Sequence, residues 1–176
     1  VYNMANIYLG KPYCSENPED AKAVQALFEG QKPFVVTYNS ENQGDNLANG
    51  TSIMANNWNG FSMRARMDSK TDIHYAYPKE GVVGWFDSAC VPVGAKNAEN
   101  AKKFLDFIMK PENIALQSNY ARYSNAIAGS EAFMDKDLAE ADELKVPESV
   151  PVKFGQACSP AAQKLTALAA LGVSAN

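Results

Sequence analysis

The chain is poor in the residues that metal and nucleophile chemistry draw on. It has one histidine, His74, and three cysteines, Cys14, Cys90 and Cys158, with no Cys-x-x-Cys spacing. A zinc site is therefore short of its usual soft ligands. A Cys–His nucleophile pair has no third group to orient it. We expect no metal and no cofactor. No apolar run approaches the roughly 18–20 residues that span a bilayer; the C-terminal run Ala167 to Val173 is apolar but far shorter. A basic stripe is also missing. Charges of both signs are interspersed, the formal net charge is −4 and the pI is near 5, so nucleic acid is not an expected partner. There is no initiating Met and no signal peptide. Val1 opens directly into a helix-like pattern, so we read the chain as a portion of a longer one.

What is present is ordinary globular composition, 46% apolar and 20% charged over 176 residues. That length suits one domain with a sizeable core, or two small ones. Helices are expected where caps and periodicity coincide. Met4, Ile7 and Tyr8 share a helical spacing that Gly10 ends. Asn17-Pro18-Glu19-Asp20 is a helix start, with a capping side chain, Pro at the first position and acids in the first turn. Val24, Leu27 and Phe28 form its buried face. A turn of helix is expected within the polar loop 39–49, and a short helix over Phe61 to Met67 with Arg64 and Arg66 outward. Asn97 caps an amphipathic helix with Ala101, Phe104, Leu105 and Ile108 inward. Pro111 opens another, with Ile114 and Leu116 inside. Residues 130–145 read as a weakly helical, solvated face. Pro160 starts the last helix, with Leu165, Leu168 and Leu171 on one side. Strands are expected at Pro33–Tyr38, Thr51–Asn56, Asp72–Tyr77 and Ala89–Val93, from short β-branched apolar runs. Alternating strands and helices argue an α/β fold with a mixed or parallel sheet.

The stretch Tyr77-Pro-Lys-Glu-Gly-Val-Val-Gly-Trp-Phe-Asp-Ser88 carries the most chemistry. Pro78 and Gly81 mark a turn. Trp85 and Asp87 are two apart, so in extended chain they point to one side. A large π-face beside a carboxylate is what an organic cation asks for. The ring contributes roughly 0.5–2 kcal/mol, and a charge-assisted hydrogen bond roughly 1.5–3 kcal/mol. A core Trp and a surface Asp near a turn is the commoner explanation of such a pair taken alone. Trp58 also stands where an expected strand ends, the place where ligands gather in open α/β sheets. Asp87 with Ser88 also suits a turn or helix cap. Paired carboxylates for acid–base work are not evident, since Glu80 and Asp87 straddle a turn.

The order of residues resembles the bacterial spermidine/putrescine-binding proteins, the substrate-binding components of ABC importers. The matching pieces are Tyr8-Leu-Gly-Lys11, Asn17-Pro-Glu-Asp20, Trp58-Asn-Gly60, Tyr77-Pro-Lys-Glu-Gly81 and Trp85-Phe-Asp-Ser88. They continue with Val91-Pro92, Ala95-Lys-Asn97, Phe107-Ile-Met-Lys-Pro111 and Tyr123-Ser-Asn-Ala126. The resemblance implies a two-lobe α/β fold of the periplasmic-binding type, class II-like, of which this chain would be an incomplete C-terminal portion. It implies tryptophans at Trp58 and Trp85 packed on a polyamine's methylene chain, and Asp87 binding an amino group. Tyr123 and Ser40 fall at pocket positions, and Gln156 at another if the tail is aligned on Ser159-Pro160. Residues 1–84 would open the second lobe, 85–130 would cross to the first, and 131–176 would return. The implied partners are a polyamine or related small organic cation, the importer's membrane permease, and the remaining N-terminal half of the same protein; the implied location of the chain is the periplasm.

That reading binds and delivers; it does not catalyse. Its rivals are the same fold with another organic cation, an opine or an amino acid, and an enzyme on a related scaffold using Asp87 or Glu80. Cys14 and Cys158 stand in polar, Pro-flanked loops. A disulfide between them would fit an oxidising compartment, though three cysteines do not by themselves choose the pair. We expect these two to approach each other while Cys90, in its apolar run, stays buried and reduced. A Cα separation above about 7 Å would exclude the bond.

Overall fold

Helices form where their own first turn is supplied. In the computed structural model, which describes residues 1–69 and 72–174 and side chains as far as Ala170, Asn17 Oδ1 accepts from Glu19 N–H at 3.0 Å and opens helix α2, Pro18–Gln31. Pro also opens α6, Pro111–Ala121, and α8, Pro160–Ser174. The other helices are α1, Tyr2–Tyr8; α3, Gln43–Ala48; α4, Asn59–Asp68; α5, Ala98–Ile108; and α7, Lys136–Ala139. Short 3-10 turns cover Lys32–Phe34, Ser130–Phe133 and Asp142–Leu144.

The chain divides into two compact units. The first comprises Val1–Ser40, Tyr77–Trp85 and Pro147–Asn176; the second comprises Glu41–Ala76 and Phe86–Val146. In the first, Tyr2 and Ala5 of α1, Val24 and Phe28 of α2 and Ala169 of α8 make the core. Fully burying a side chain such as Val24 contributes about 1.5–3 kcal/mol. On α1 the buried residues are Tyr2, Ala5, Asn6 and Ile7, whereas Met4 and Tyr8 face outward. Strands β1, Val82–Gly84, and β2, Val152–Phe154, pair in parallel with Gly84 opposite Phe154. Gly81 turns the chain into β1 at φ +124°, and a Cβ there would stand 2.8 Å from the Pro151 carbonyl oxygen, so glycine is required twice over. Asp20 is buried, accepts from Ser15 Oγ at 2.6 Å and pairs with Lys11 at 3.1 Å. The Ser15 hydroxyl, then Lys11, hold its carboxyl below the usual range. Cys14 and Cys158 are disulfide-bonded, 5.3 Å apart at Cα and 144 residues apart in sequence. Closing so long a loop stabilises by about 5 kcal/mol in the chain-entropy limit.

The second unit centres on Met63 of α4 with Leu138 and Ala141, flanked by Met134 and Leu144. Arg66 grips the buried Glu143 with two bonds, Nε to Oε1 at 2.7 Å and a terminal nitrogen to Oε2 at 3.2 Å. Burial pushes Glu143 up, but the Arg66 hydrogen bond and charge outweigh it and hold the carboxyl below its usual range. Behind α6, Asn125 accepts from Ser130 Oγ and from Ile127 N–H, each at 2.9 Å, and donates to Ser118 Oγ at 2.9 Å.

Several expectations fail here for one reason. Pro33–Tyr38, Thr51–Asn56, Asp72–Tyr77 and Ala89–Val93 are not strands. Phe34 is 85% and Ile53 101% exposed, so these runs lack both a ladder partner and a covering face. Thr71 lies outside the described residues. Cys90 is free but exposed, not buried. Residues 130–145 are not merely a solvated face, since Leu138, Ala141 and Glu143 are buried. Helix α5 has no buried residue, and Leu116 of α6 is exposed while its neighbour Ala115 is buried. Leu168 is also exposed, and the side chain of Leu171 lies outside those described.

Candidate functional site

Helix α4 begins without the usual cap. Trp58 holds the N-cap position and its side chain accepts nothing from the helix. The orphan donors of the first turn are met from elsewhere. Trp58 N–H is bonded to Asn57 Oδ1 at 2.9 Å, and Gly60 N–H to Asn59 Oδ1 at 3.0 Å. The Phe61 backbone acts on the Tyr123 hydroxyl as a hydrogen-bonding neighbour. The Tyr123 ring lies against Gly60 so closely that a Cβ there would stand 2.6 Å from Tyr123 Cε2. Only glycine fits, which explains the residue after Trp58-Asn.

Three further groups gather at this turn. The Trp58 and Phe61 rings are 5.7 Å apart and tilted by 49°. The Arg64 guanidinium sits 4.3 Å above the Phe61 ring and reaches the Ala121 carbonyl at 3.4 Å. Asp87, exposed, lies near enough to Tyr123 to act on its ionisation. Burial pushes the Tyr123 hydroxyl up first; the Phe61 bond and Arg64 oppose this, and Asp87 adds to it. Trp58 remains 40% exposed. The arrangement offers a cation an indole face and a carboxylate. The helix N-terminus opposes a cation by roughly 0.3–1 kcal/mol, less than the roughly 1.5–3 kcal/mol of a charge-assisted bond. An anion is served poorly, because the chain's own oxygens already take the first-turn donors.

In the first unit, Trp85 leaves β1 directly and Gln156 follows β2 by two residues. The ladder continues one bond further, from Gly155 N–H to the Gly84 oxygen at 3.0 Å. Trp85, 44% exposed, and Gln156 therefore issue from the same, C-terminal end of two paired parallel strands. That is the favoured ligand position in parallel α/β sheets. Ser40 lies in an exposed bend at the end of the unit's opening segment.

The structure thus sets Tyr123 against Gly60 at the start of α4, with Asp87 within electrostatic reach of Tyr123, and sends Trp85 and Gln156 from the same end of one strand pair. Sequence reasoning missed Gly60, Phe61 and the inward turn of Arg64. The signal was there: a helix start with no capping side chain, followed by glycine in its first turn, leaves room for another segment to approach. Asp87 caps no helix. Two cavities of about 520 and 530 Å³, one beside Tyr8 and Leu27 and one beside Arg66, His74 and Glu143, are lined by none of the candidate residues. Among the described residues, no group of three or more His, Cys, Asp and Glu side chains could hold a metal ion. No described helix is long and apolar enough to cross a membrane.

Comparison with known proteins gives the family. A model described as bacterial extracellular solute-binding protein matches residues 1–146. The spermidine/putrescine-binding periplasmic protein of Salmonella typhimurium is 35% identical over 159 residues, 89% of this chain and 44% of that protein. A putrescine-binding periplasmic protein of Pseudomonas aeruginosa is 29% identical over 152 residues, 84% of this chain and 41% of that protein. The spermidine/putrescine-binding periplasmic protein of Escherichia coli is 29% identical over 159 residues, with shares of 89% and 44%. The chain spans less than half the length of these relatives. It belongs to the bacterial extracellular solute-binding protein family.

Proposed function

We propose that the chain is part of the periplasmic binding component of an ABC importer whose ligand is a polyamine of the putrescine–spermidine class. The observation that carries this is the Trp58–Phe61 ring pair at the start of α4, with Asp87 within electrostatic reach of Tyr123. A polyamine is an apolar methylene chain with ammonium groups. Indole faces suit the chain, and a carboxylate accepts from an ammonium. Trp85 and Gln156, at the strand ends, would supply a second wall and a polar contact, and Ser40 a further one. The names of the relatives point the same way. In this role the protein binds and hands its ligand to a membrane permease, and no step of covalent chemistry is involved.

The two-lobe, class II-like form with an interlobe cleft belongs to this reading, as do the lobe segments 1–84, 85–130 and 131–176. The passage of the chain from one unit to the other between Trp85 and Phe86 supports the first of these boundaries. The units also divide at Ser40 and Glu41 and at Ala76 and Tyr77, within the first segment, and at Val146 and Pro147, within the third. The reading further expects the apolar face of α5 to be covered by polypeptide corresponding to the part of the relatives that this chain does not match.

The test is titration calorimetry of the intact protein against putrescine, spermidine, an amino acid and an opine. Binding of the amines at micromolar level or tighter, with no heat from the other two, is the expected result. Uptake of the amino acid or opine in preference to both amines would sink it.

A further inference from the structure

Two bonds and one close approach tie the loop Tyr13–Glu16 to the segment that leaves β2. A Cβ on Gly155 would stand 3.4 Å from Tyr13 Oη. Cys14 is bonded to Cys158. Ser159 Oγ donates to Glu16 Oε1 at 2.5 Å. These contacts bracket Gln156 from both sides. Gly155, Gln156 and Ala157 are themselves exposed, and the last ladder bond ends at Gly155.

The loop is anchored in turn. Cys14 adopts φ 57°, a left-handed conformation that disfavours a residue with a Cβ. Its N–H donates to Asn3 Oδ1 of α1 at 3.1 Å. Its neighbour Ser15 is buried and donates to Asp20 in the first turn of α2. On the other side, Gln163 of α8 donates to the Cys158 carbonyl at 2.7 Å. Both ends of the disulfide are therefore fixed to helices.

We propose that the Tyr13–Glu16 loop is a covalently closed clasp that positions Gln156 beside Trp85, so that polyamine affinity depends on the Cys14–Cys158 bond. The claim rests on the polyamine reading above. A ligand that touches both strand ends needs the exit of β2 fixed against the exit of β1. With the bond open, the segment keeps its Gly155–Gly84 ladder bond, its junction with α8 and the polar contacts of Cys158 and Ser159, but loses its covalent tie to the loop after α1. The ligand must then order it, which weakens binding without removing any group that touches the ligand. Reduction breaks the Sγ–Sγ bond and adds two electrons and two protons to give two thiols. A phosphine reductant is oxidised to its oxide, with the oxygen taken from water.

The experiment titrates putrescine into the intact protein when oxidised, phosphine-reduced and reoxidised. Amide hydrogen exchange over residues 155–159 and far-UV circular dichroism are followed in parallel. Ordering one freed side chain and its backbone corresponds to roughly tenfold weaker binding on reduction. Exchange over 155–159 should quicken, reoxidation should restore both, and the dichroism should stay unchanged. A mere stabilising cross-link would leave affinity alone at a temperature well below the melt. Equal affinity and equal exchange in the two states would overturn the clasp. If the reduced protein loses its dichroism, Tyr13→Ala with the disulfide intact decides instead. It should bind roughly threefold more weakly and exchange faster at 155–157, and no change in either would overturn the proposal. If the oxidised protein ignores putrescine, the polyamine reading and the affinity claim fall together. Exchange then decides alone whether the loop holds the segment.

Discussion

Helix α2 in the first unit and helix α5 in the second obey the same pattern with opposite outcomes. Both carry apolar residues at helical spacing, and α5 has the cleaner apolar stripe. Yet α2 buries Val24 and Phe28, while α5 buries nothing and leaves Phe104 60% and Phe107 57% exposed. An amphipathic stripe specifies which face seeks cover, not what covers it. In the first unit α1 and α8 supply the cover and a disulfide closes the chain around it. In the second, cover gathers at α4 instead, where Leu138 and Ala141 pack with Met63 and Arg66 pairs with Glu143.

The sharpest way to break this comparison is a pair of truncations in the 176-residue chain. Phe28→Ala should cost about 3–4 kcal/mol, because the residue is nearly buried in a packed core. Phe104→Ala should cost less than about 1 kcal/mol, since little apolar area is withdrawn from water there. Denaturant melts of both variants measure the difference. Equal losses would show that α5 has cover of its own, for instance by self-association through the Phe104–Leu116 surface, which sedimentation would detect.

A smaller effect probes the second unit. Arg66→Met strands the Glu143 carboxylate. A fully buried pair so broken loses about 3–5 kcal/mol. Arg66 is 39% exposed at its side chain, so we expect about 2 kcal/mol. The pH response follows from the direction of the shifts. Glu143 and Asp20 both have folded pKa values below their unfolded ones. Their contribution is present above the unfolded values and is lost as pH falls through the folded ones, in the region below about pH 4. In Arg66→Met, burial, the largest influence on Glu143, is opposed only by a backbone hydrogen bond, so its pKa rises and the acid midpoint of the second unit should move up in pH while that of the first stays put. An acid titration followed by dichroism would reveal an unmoved midpoint if the pair is idle.

The same contrast explains what could be read from the chain beforehand. Helix starts at Asn17-Pro18, Pro111 and Pro160 were legible because a helix closes its hydrogen bonds within its own segment. The runs at Pro33, Thr51, Asp72 and Ala89 were misread because a strand exists only when a second strand meets it. The pairing that does occur, Val82–Gly84 with Val152–Phe154, joins short runs that local propensity hardly marks. The Cys14–Cys158 bond was expected and is found, but Cys90 was misplaced, since its burial presumed a strand that does not form. At the site, Trp58, Asp87 and Tyr123 could be named from residue order. That Tyr123 packs over Gly60 depends on a contact far apart in sequence, which no local pattern encodes, whereas Arg64 over Phe61 is a pair that helical spacing itself brings together.

On the proposed function, the aromatic–carboxylate group at the start of α4 receives an ammonium. Calorimetric titration of putrescine into the intact protein and its Asp87→Asn variant tests it most directly. The substitution keeps the shape and removes the charge, so the fold should be untouched by dichroism. Loss of a charge-assisted bond of about 1.5–3 kcal/mol corresponds to roughly 10–150-fold weaker binding. Weaker binding of that size is the expected result. Unchanged affinity in Asp87→Asn would contradict it and take Asp87 out of the site.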